Sequence, residues 1–188
     1  MTNLELIATV FGLASVALTI RQNIWCWPTG LVMACLYFFI FFRVRLYSDM
    51  ALQVVYVVLQ IMGWYKWHKR GKDGRALSAS RLSSREFLAW GVACLGGTAL
   101  LGLAMSRLTN AALPFWDANT TATSLVAQWL MNRKKLESWY FWIAVDVISV
   151  GIYLVKGLNA TAVLYVVFLA MAVTGFLTWK KNVTPLPA

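Results

Sequence analysis

Residues 138–155 read SWYFWIAVDVISVGIYLV, an apolar stretch that carries a carboxylate, Asp146, near its middle. At a rise of about 1.5 Å per residue, such a stretch is long enough to cross a bilayer as a helix. A charge at that depth costs on the order of a few kcal/mol and usually marks a functional interior. The stretch therefore predicts a membrane-spanning helix with a functional face.

Polar and aromatic side chains share one face of this helix. At helical spacing Trp139, Trp142, Asp146, Ser149 and Tyr153 fall within an arc of roughly 80°. The preceding apolar segment has a polar stripe of its own. Two such stripes on consecutive helices predict the wall of a path for a small molecule. The second stripe consists of Asp117, Thr121, Ser124 and Gln128.

The composition is that of a membrane protein, with 60% hydrophobic and only 13% charged residues among 188. A soluble domain has about a quarter charged residues. The net charge of +10 arises from Lys and Arg at the ends of apolar segments, where membrane topology predicts them, so we expect no nucleic-acid partner. Three isolated cysteines and one histidine have no metal-ligand spacing, and we expect no metal and no cofactor.

Seven apolar segments follow one another and predict an all-α integral membrane protein with seven transmembrane helices. Of the 17 Lys and Arg residues, thirteen fall on the inner side and four on the outer side if the N-terminus is outside. The positive-inside rule then places the C-terminus in the cytoplasm. The segments are 4–20, 24–44, 50–67, 87–108, 115–131, 138–155 and 161–179.

A shift of 112 positions aligns the chain with itself and predicts an internal duplication. Residues 1–68 and 115–181 then form two parallel three-helix repeats, joined by a loop and a linker helix (69–114) and followed by a tail (182–188). Such a 3+1+3 chain is expected to bind substrate near the midplane, between the halves. The identical pairs include Trp27/Trp139, Leu46/Leu158, Gly63/Gly175, Trp67/Trp179 and Arg21/Arg133.

The third segment has a polar face in which Gln53, Tyr56 and Gln60 share an arc with two tryptophans. Amides on a membrane helix need partners, and these are either other helices or a polar ligand. Trp64 and Trp67 lie near Lys66 and are expected in the aromatic belt at the inner interface. Tyr37, in the middle of the second segment, either lines the pocket or packs in the core.

Each polar residue of the fifth and sixth segments also has a structural interpretation. Asp117 is well placed to cap a helix, and Thr121 and Ser124 can bond back to their own helix. Trp139 is a candidate for the aromatic belt. Gln128, Trp142 and Asp146 are less easily explained in that way. For Asp146 the structural alternative is a hydrogen bond to a neighbouring helix.

A carboxylate near the midplane among Trp and Tyr suits a cation with a flat ring, because charge attraction and cation–π attraction then act together. Glutamine amides could bind hydroxyls or ring substituents. The residues thus predict an uptake path for a small aromatic cation without naming the molecule. The candidate substrate-binding residues are Asp146, Trp142, Gln128, Gln60, Gln53, Tyr56, Tyr37, Ser124, Thr121, Tyr153 and Trp139.

Several motifs of the chain resemble those of PnuC-family vitamin transporters, and the resemblance covers nearly the whole chain. The motifs are QNIWCWPTG (22–30), LYSDM (46–50), QIMGWY (60–65), WD (116–117), SLVAQWL (124–130), RKK (133–135) and WYFWIAVD (139–146). Residues 69–86 and the fourth segment are its variable parts.

The resemblance implies a nicotinamide riboside transporter of the bacterial inner membrane, with a 3+1+3 plan akin to the SWEET sugar transporters and often trimeric. Family members are thought to work by facilitated diffusion, and phosphorylation in the cytoplasm traps the substrate. Relatives with very similar motifs carry thiamine, which is also an aromatic cation. Nicotinamide riboside is the favoured substrate, and thiamine is the alternative.

Three other classes of protein remain as alternatives. In a proton-coupled transporter Asp146 would titrate during transport. An integral-membrane enzyme could use Asp117 and Asp146 as an acid–base pair, but the two lie at different depths and the sequence has no HExxH, GxSxG or P-loop motif. A scaffold without transport activity would leave the polar stripes unexplained. We therefore expect a transporter and not an enzyme.

Overall fold

The computed structural model describes residues 3–43, 45, 47–69, 77–109 and 112–183. Parts of several predictions lie outside these residues. They are residues 1–2 of the first predicted repeat, Val44 at the predicted end of the second segment, Leu46 of the repeat alignment, residues 70–76 and 110–111 of the predicted loop and linker, and residues 184–188 of the predicted tail.

The described residues form seven helices, and no predicted segment boundary differs from the observed one by more than three residues. The sixth helix has the predicted bounds. The helices are α1 (Asn3–Ile20), α2 (Cys26–Arg43), α3 (Tyr47–His68), α4 (Ser84–Leu108), α5 (Pro114–Asn132), α6 (Ser138–Val155) and α7 (Asn159–Lys180).

Helix α4 begins three residues before the predicted start because polar residues form its first turn. The Ser83 hydroxyl accepts a hydrogen bond from the Glu86 backbone N–H at 3.3 Å. In return, the Glu86 carboxylate accepts one from the Ser83 N–H at 2.8 Å. This capping box satisfies N–H groups that have no partner within the helix. A search for apolar residues cannot detect such a turn.

Five of the described helices are long and apolar enough to cross a membrane, namely α1, α2, α4, α6 and α7. The other two carry more polar side chains: Gln53, Gln60 and Lys66 in α3, and Asp117 and Gln128 in α5. The all-helical membrane class is thus confirmed. Spanning by α3 and α5 stays a prediction.

The chain divides into two compact units, Met1–Ser78 and Ala79–Ala188. In the first unit α1 packs against α2, and α2 packs against α3. In the second unit each of the four helices α4 to α7 packs against the next one in the chain. Helix α4 belongs to the second compact unit, and its role as a linker between two repeats stays a prediction.

Each unit contains the same cluster of two tryptophans and a glycine. In the first unit the rings of Trp27 and Trp67 meet edge to face at 5.1 Å. A Cβ atom on Gly63 would overlap the ring of Trp27. In the second unit the corresponding cluster is Trp139, Trp179 and Gly175, with ring centroids 5.5 Å apart. The two clusters are 112 positions apart at all three residues.

The turns of the two units also correspond at this offset. Gln22 and Lys134 have φ angles of 52° and 49°, and Arg45 and Gly157 have 60° and 71°. A positive φ is uncommon for a residue with a side chain. The turn hydrogen bonds match as well: Gln22 N–H donates to the Thr19 carbonyl, and Lys134 N–H donates to the Met131 carbonyl, both at 2.9 Å.

Residues 79–82, just before α4, pack against the turn between α5 and α6. Ser80 N–H donates to the Lys134 carbonyl at 3.0 Å, and Leu136 N–H donates to the Ser80 carbonyl at 2.9 Å. Leu82 N–H donates to the Glu137 carboxylate at 2.8 Å. The Leu82 side chain is buried with Ala127, Leu130, Phe141 and Cys94. The α5–α6 turn is thereby tied to the segment that leads into α4.

Candidate functional site

Asp146 is buried in α6, with 5% of its surface exposed. No described residue donates a hydrogen bond to its carboxylate or forms an ion pair with it. A buried carboxylate is usually paired, because loss of hydration is costly. The predicted structural alternative, a hydrogen bond to a neighbouring helix, is therefore not seen in the described part of the chain.

The side of α6 that carries Asp146 is also the side that contacts α7. Trp139 contacts Trp179, and Tyr153 stacks on Tyr165 with ring centroids 5.2 Å apart. Asp146 is seven residues, about two turns, from each, so it lies between them on the same face. Between Tyr165 and Gly175 the α7 sequence has no charged residue. Helix α7 therefore offers Asp146 no counter-ion at this level.

The two tryptophans of α6 have different surroundings. Trp139 is buried against Gly175 and Trp179, so it is not exposed to lipid headgroups as the belt interpretation would require. Trp142 is half-buried and packs against the apolar cluster of Leu82 and its neighbours. Trp142 is thus only partly covered by the described residues.

The polar stripe of α5 is buried and held by local hydrogen bonds. The Gln128 Nε2 atom donates to the Asn132 Oδ1 atom at 3.3 Å, and both residues are buried. The Ser124 hydroxyl donates to the Thr121 carbonyl at 2.9 Å. The structural interpretation predicted for Ser124, a hydrogen bond back to its own helix, is thus observed. Thr121 is half-buried.

Asp117 does not cap α5, contrary to the sequence-based interpretation. Leu113 occupies the N-cap position, and no side chain forms a capping hydrogen bond there. The Asp117 carboxylate instead forms an ion pair with Lys156, whose Nζ atom is 3.0 Å from Oδ1. Asp117 lies four residues into the helix, and Pro114 already fills the first position without an N–H to be capped. Asp117 therefore joins the adjacent ends of α5 and α6.

The first unit contains the other four candidates. Gln60 is buried, with 8% exposed, and Gln53 and Tyr56 are half-buried on the same helix. Tyr37 is half-buried and stacks on Phe41 with ring centroids 5.7 Å apart. This contact fits the core-packing alternative that was predicted for Tyr37.

The aromatic-belt position predicted for two tryptophans of α3 agrees with the exposure of only one of them. Trp64 is exposed, as a belt residue should be. Trp67 is buried against Trp27, and the belt interpretation is wrong for it. The two residues lie on neighbouring parts of one helix face, and the contact with Trp27 of α2 is what buries Trp67.

Asn132 is a polar residue of the site region that the prediction missed. It is fully buried and continues the stripe, four residues after Gln128. The predicted segment ended at residue 131, one residue too early. The i, i+4 spacing of the stripe would have identified it.

These surroundings favour a ligand with a positive charge and groups that form hydrogen bonds. The carboxylate of Asp146 has no cation among the described residues, and Gln128, Ser124 and Tyr153 lie on the same two adjacent helices. Trp142, half-buried on α6, adds an aromatic ring to this set.

Comparison with known proteins agrees with this chemistry. A family model described as nicotinamide mononucleotide transporter matches residues 2–181. A relative from Escherichia coli (strain K12), named nicotinamide riboside transporter PnuC, is 30% identical in an alignment of 204 positions that covers 95% of this chain and 85% of the relative. The chain belongs to the PnuC transporter family. The resemblance drawn from its motifs is confirmed.

Other similar proteins are also named as transporters of vitamins or related compounds. The nicotinamide riboside transporter PnuC of Neisseria mucosa is 29% identical, over 94% of this chain and 72% of the relative. The riboflavin/roseoflavin transporter RibM of Streptomyces davaonensis is 26% identical, over 93% of this chain and 83% of the relative. The crystal structure of the vitamin B3 transporter PnuC superposes with a TM-score of 0.76 at 26% identity, over 95% of this chain and 81% of that one. These relatives are named as transporters and not as enzymes, as predicted.

Proposed function

We propose that this chain carries nicotinamide riboside across the bacterial inner membrane by facilitated diffusion, and that phosphorylation in the cytoplasm traps the substrate. The observation that carries the proposal is Asp146, a buried carboxylate with no ion pair among the described residues. Nicotinamide riboside has a cationic aromatic ring, a carboxamide and ribose hydroxyls. The names of the E. coli and Neisseria relatives support the same substrate.

The proposed chemistry assigns each part of the substrate a partner. Asp146 balances the charge of the pyridinium ring, and Trp142 contributes an aromatic face. Gln128 and Gln60 bind the carboxamide and the hydroxyls through their side-chain amides. The remaining candidates are proposed to contact the substrate along its path: Gln53, Tyr56, Tyr37, Ser124, Thr121, Tyr153 and Trp139.

The proposed architecture is a SWEET-like 3+1+3 plan with residues 1–68 and 115–181 as parallel repeats, α4 as the linker helix and homotrimeric assembly. Its support is the offset of 112 positions, at which tryptophan clusters, positive φ angles and turn hydrogen bonds all correspond. The distribution of Lys and Arg supports an outer N-terminus and a cytoplasmic C-terminus.

Calorimetric titration of the purified protein tests the substrate. Nicotinamide riboside, thiamine and riboflavin are titrated separately, since the last is the substrate in the name of one relative. Binding of nicotinamide riboside in preference to the other two is the expected result. Preference for thiamine or riboflavin would contradict the proposed substrate while leaving a vitamin transporter.

Uptake into liposomes tests the proposed mechanism. Facilitated diffusion predicts that nicotinamide riboside equilibrates across the membrane without accumulating, whatever pH gradient is imposed. Accumulation that follows an imposed pH gradient would favour proton coupling through Asp146 instead. Addition of a phosphorylating enzyme and ATP inside the liposomes should convert equilibration into net accumulation.

A further inference from the structure

The side-chain amide of Gln60 lies directly on the backbone of Gly30. A Cβ atom built on Gly30 would be 2.5 Å from Nε2, 2.9 Å from Cδ and 3.0 Å from Oε1 of Gln60. All three atoms of the amide group therefore occupy space that any other residue at position 30 would fill. The contact joins α2 to α3 within the first unit.

Gly30 differs from the other tightly packed glycines in what lies on it. The buried, rigid rings of Trp27 and Trp139 lie against the backbones of Gly63 and Gly175, respectively. At Gly30, by contrast, the neighbour is the end of a flexible polar side chain. The tryptophan–glycine contacts are explained by helix packing, because a large ring buries much apolar surface. A small polar amide buries little apolar surface against a glycine, so packing does not explain the contact of Gln60 with Gly30.

Gln60 also has no hydrogen-bond partner among the described residues, although it is buried. An amide in that condition retains its donors and its acceptor for another group. At the positions 112 residues later the chain has Trp142 and Ala172, so the pairing of glycine with glutamine is peculiar to the first unit.

From these contacts we infer that Gly30 is a positioning residue, which fixes the side-chain amide of Gln60 in the orientation that binds substrate. The inference rests on the proposed function. A fixed amide presents an N–H donor and a carbonyl acceptor together, which suits a substrate group that both accepts and donates, such as a carboxamide or a ribose hydroxyl. Gly30 thereby determines specificity without touching the substrate.

The test uses Gly30→Ala, with Gly96→Ala as the matched control because a Cβ on Gly96 has no atom within 4 Å. The added methyl group displaces only the end of a flexible side chain, so Gly30→Ala should fold. Loss of an oriented hydrogen bond should weaken nicotinamide riboside binding about tenfold in Gly30→Ala and not in Gly96→Ala. Gln60→Asn, which withdraws the amide without adding atoms, should weaken binding similarly.

A double substitution separates positioning from other effects. If Gly30 acts through Gln60, the variant Gly30→Ala/Gln60→Ala should bind no more weakly than Gln60→Ala alone. Additive losses would overturn the inference. Because the clashing side chain is absent from the double variant, this comparison holds even if Gly30→Ala folds poorly.

A measurement without ligand distinguishes this inference from the proposed function. The NMR signal of the Gln60 side-chain amide, assigned by its loss in Gln60→Ala, should move in Gly30→Ala and stay in Gly96→Ala. An unmoved signal, or a moved signal with unchanged affinity, would overturn the positioning role. Failure of the unsubstituted protein to bind nicotinamide riboside would overturn the proposed function, and the inference with it, before any variant is compared.

Discussion

The ring of Trp139 lies on the backbone of Gly175, in a position that leaves no room for a Cβ atom. Trp27 has the same relationship with Gly63. In both pairs a second tryptophan packs edge to face against the first. Each pair joins the second helix of a proposed repeat to its third helix.

Substitution of either glycine should therefore destabilise the protein. Gly175→Ala forces the buried ring of Trp139 to move, and overpacking of this kind typically costs about 1–3 kcal/mol. A lower midpoint of thermal unfolding in detergent would show this loss.

Gly151→Ala is the control for this measurement. Gly151 lies in α6, and a Cβ there has no atom within 4 Å. Its substitution should leave the midpoint unchanged or raise it slightly, since alanine favours a helix. Equal midpoints for Gly175→Ala and Gly151→Ala would contradict the packing account.

The buried pair of Gln128 and Asn132 should affect substrate binding more than stability. Asn132→Ala removes the acceptor that holds the Gln128 amide. The expected loss of nicotinamide riboside affinity is about three- to tenfold, the value of one hydrogen bond. Asn132→Asp retains the acceptor oxygen and should bind more tightly than Asn132→Ala in calorimetry.

Asn119 provides the matched control on the same helix. Its side chain donates to Thr98 of α4 at 3.0 Å, away from the Gln128 pair. Asn119→Ala should lower thermal stability without changing affinity. If Asn119→Ala weakened binding as much as Asn132→Ala, the loss in both would come from general disturbance of α5.

The ion pair of Asp117 and Lys156 should contribute little. Both side chains are about a quarter to a third exposed, and such pairs are worth about 0–1 kcal/mol. Lys156→Met should lower thermal stability only slightly and should leave nicotinamide riboside affinity unchanged. A large loss of affinity would assign Asp117 to the substrate path, which is contrary to its structural role here.

The Glu137 carboxylate should control how tightly residues 79–82 pack on the α5–α6 turn. Glu137→Ala removes the acceptor for the Leu82 N–H. Faster amide hydrogen exchange at Leu82 and Ser80, measured by mass spectrometry of the peptides that contain them, is the expected result. Unchanged exchange would mean that the hydrogen bonds of Ser80 and the one from Lys135 Nζ to the Arg81 carbonyl hold the segment without Glu137.

Helical periodicity and the internal offset predicted much of this fold. The offset of 112 positions singled out Trp27, Gly63 and Trp67 with their counterparts. The structure shows that Trp27 contacts both other members of its trio, and Trp139 does the same in the second trio. Residues that are identical at a fixed offset occupy equivalent positions in the two proposed repeats, so they also make equivalent contacts. Apolar runs likewise placed all seven helices, because burial in lipid or protein needs such runs.

The contacts between elements could not be predicted in the same way. Periodicity shows that Gln60 faces inward but not that its amide lies on Gly30, since that depends on how α2 and α3 cross. Ser80, just before α4, pairs with Lys135, which lies 55 positions later in the turn between α5 and α6. Neither residue belongs to a periodic pattern. Likewise, periodicity cannot show that no described residue pairs with Asp146, since that depends on which side chains the neighbouring helices bring to it.

The most direct test of the account is the affinity of Asp146→Asn for nicotinamide riboside, measured by calorimetry beside the unsubstituted protein. Asparagine keeps the shape of the side chain and removes its charge, with one carboxylate oxygen replaced by an NH2 group. We expect the affinity for the cation to fall by about ten- to a hundredfold. Affinity for the uncharged dihydro form of the same riboside should change little. Equal affinity of the two proteins for nicotinamide riboside would contradict the account, because Asp146 would then not bind the charge of the substrate.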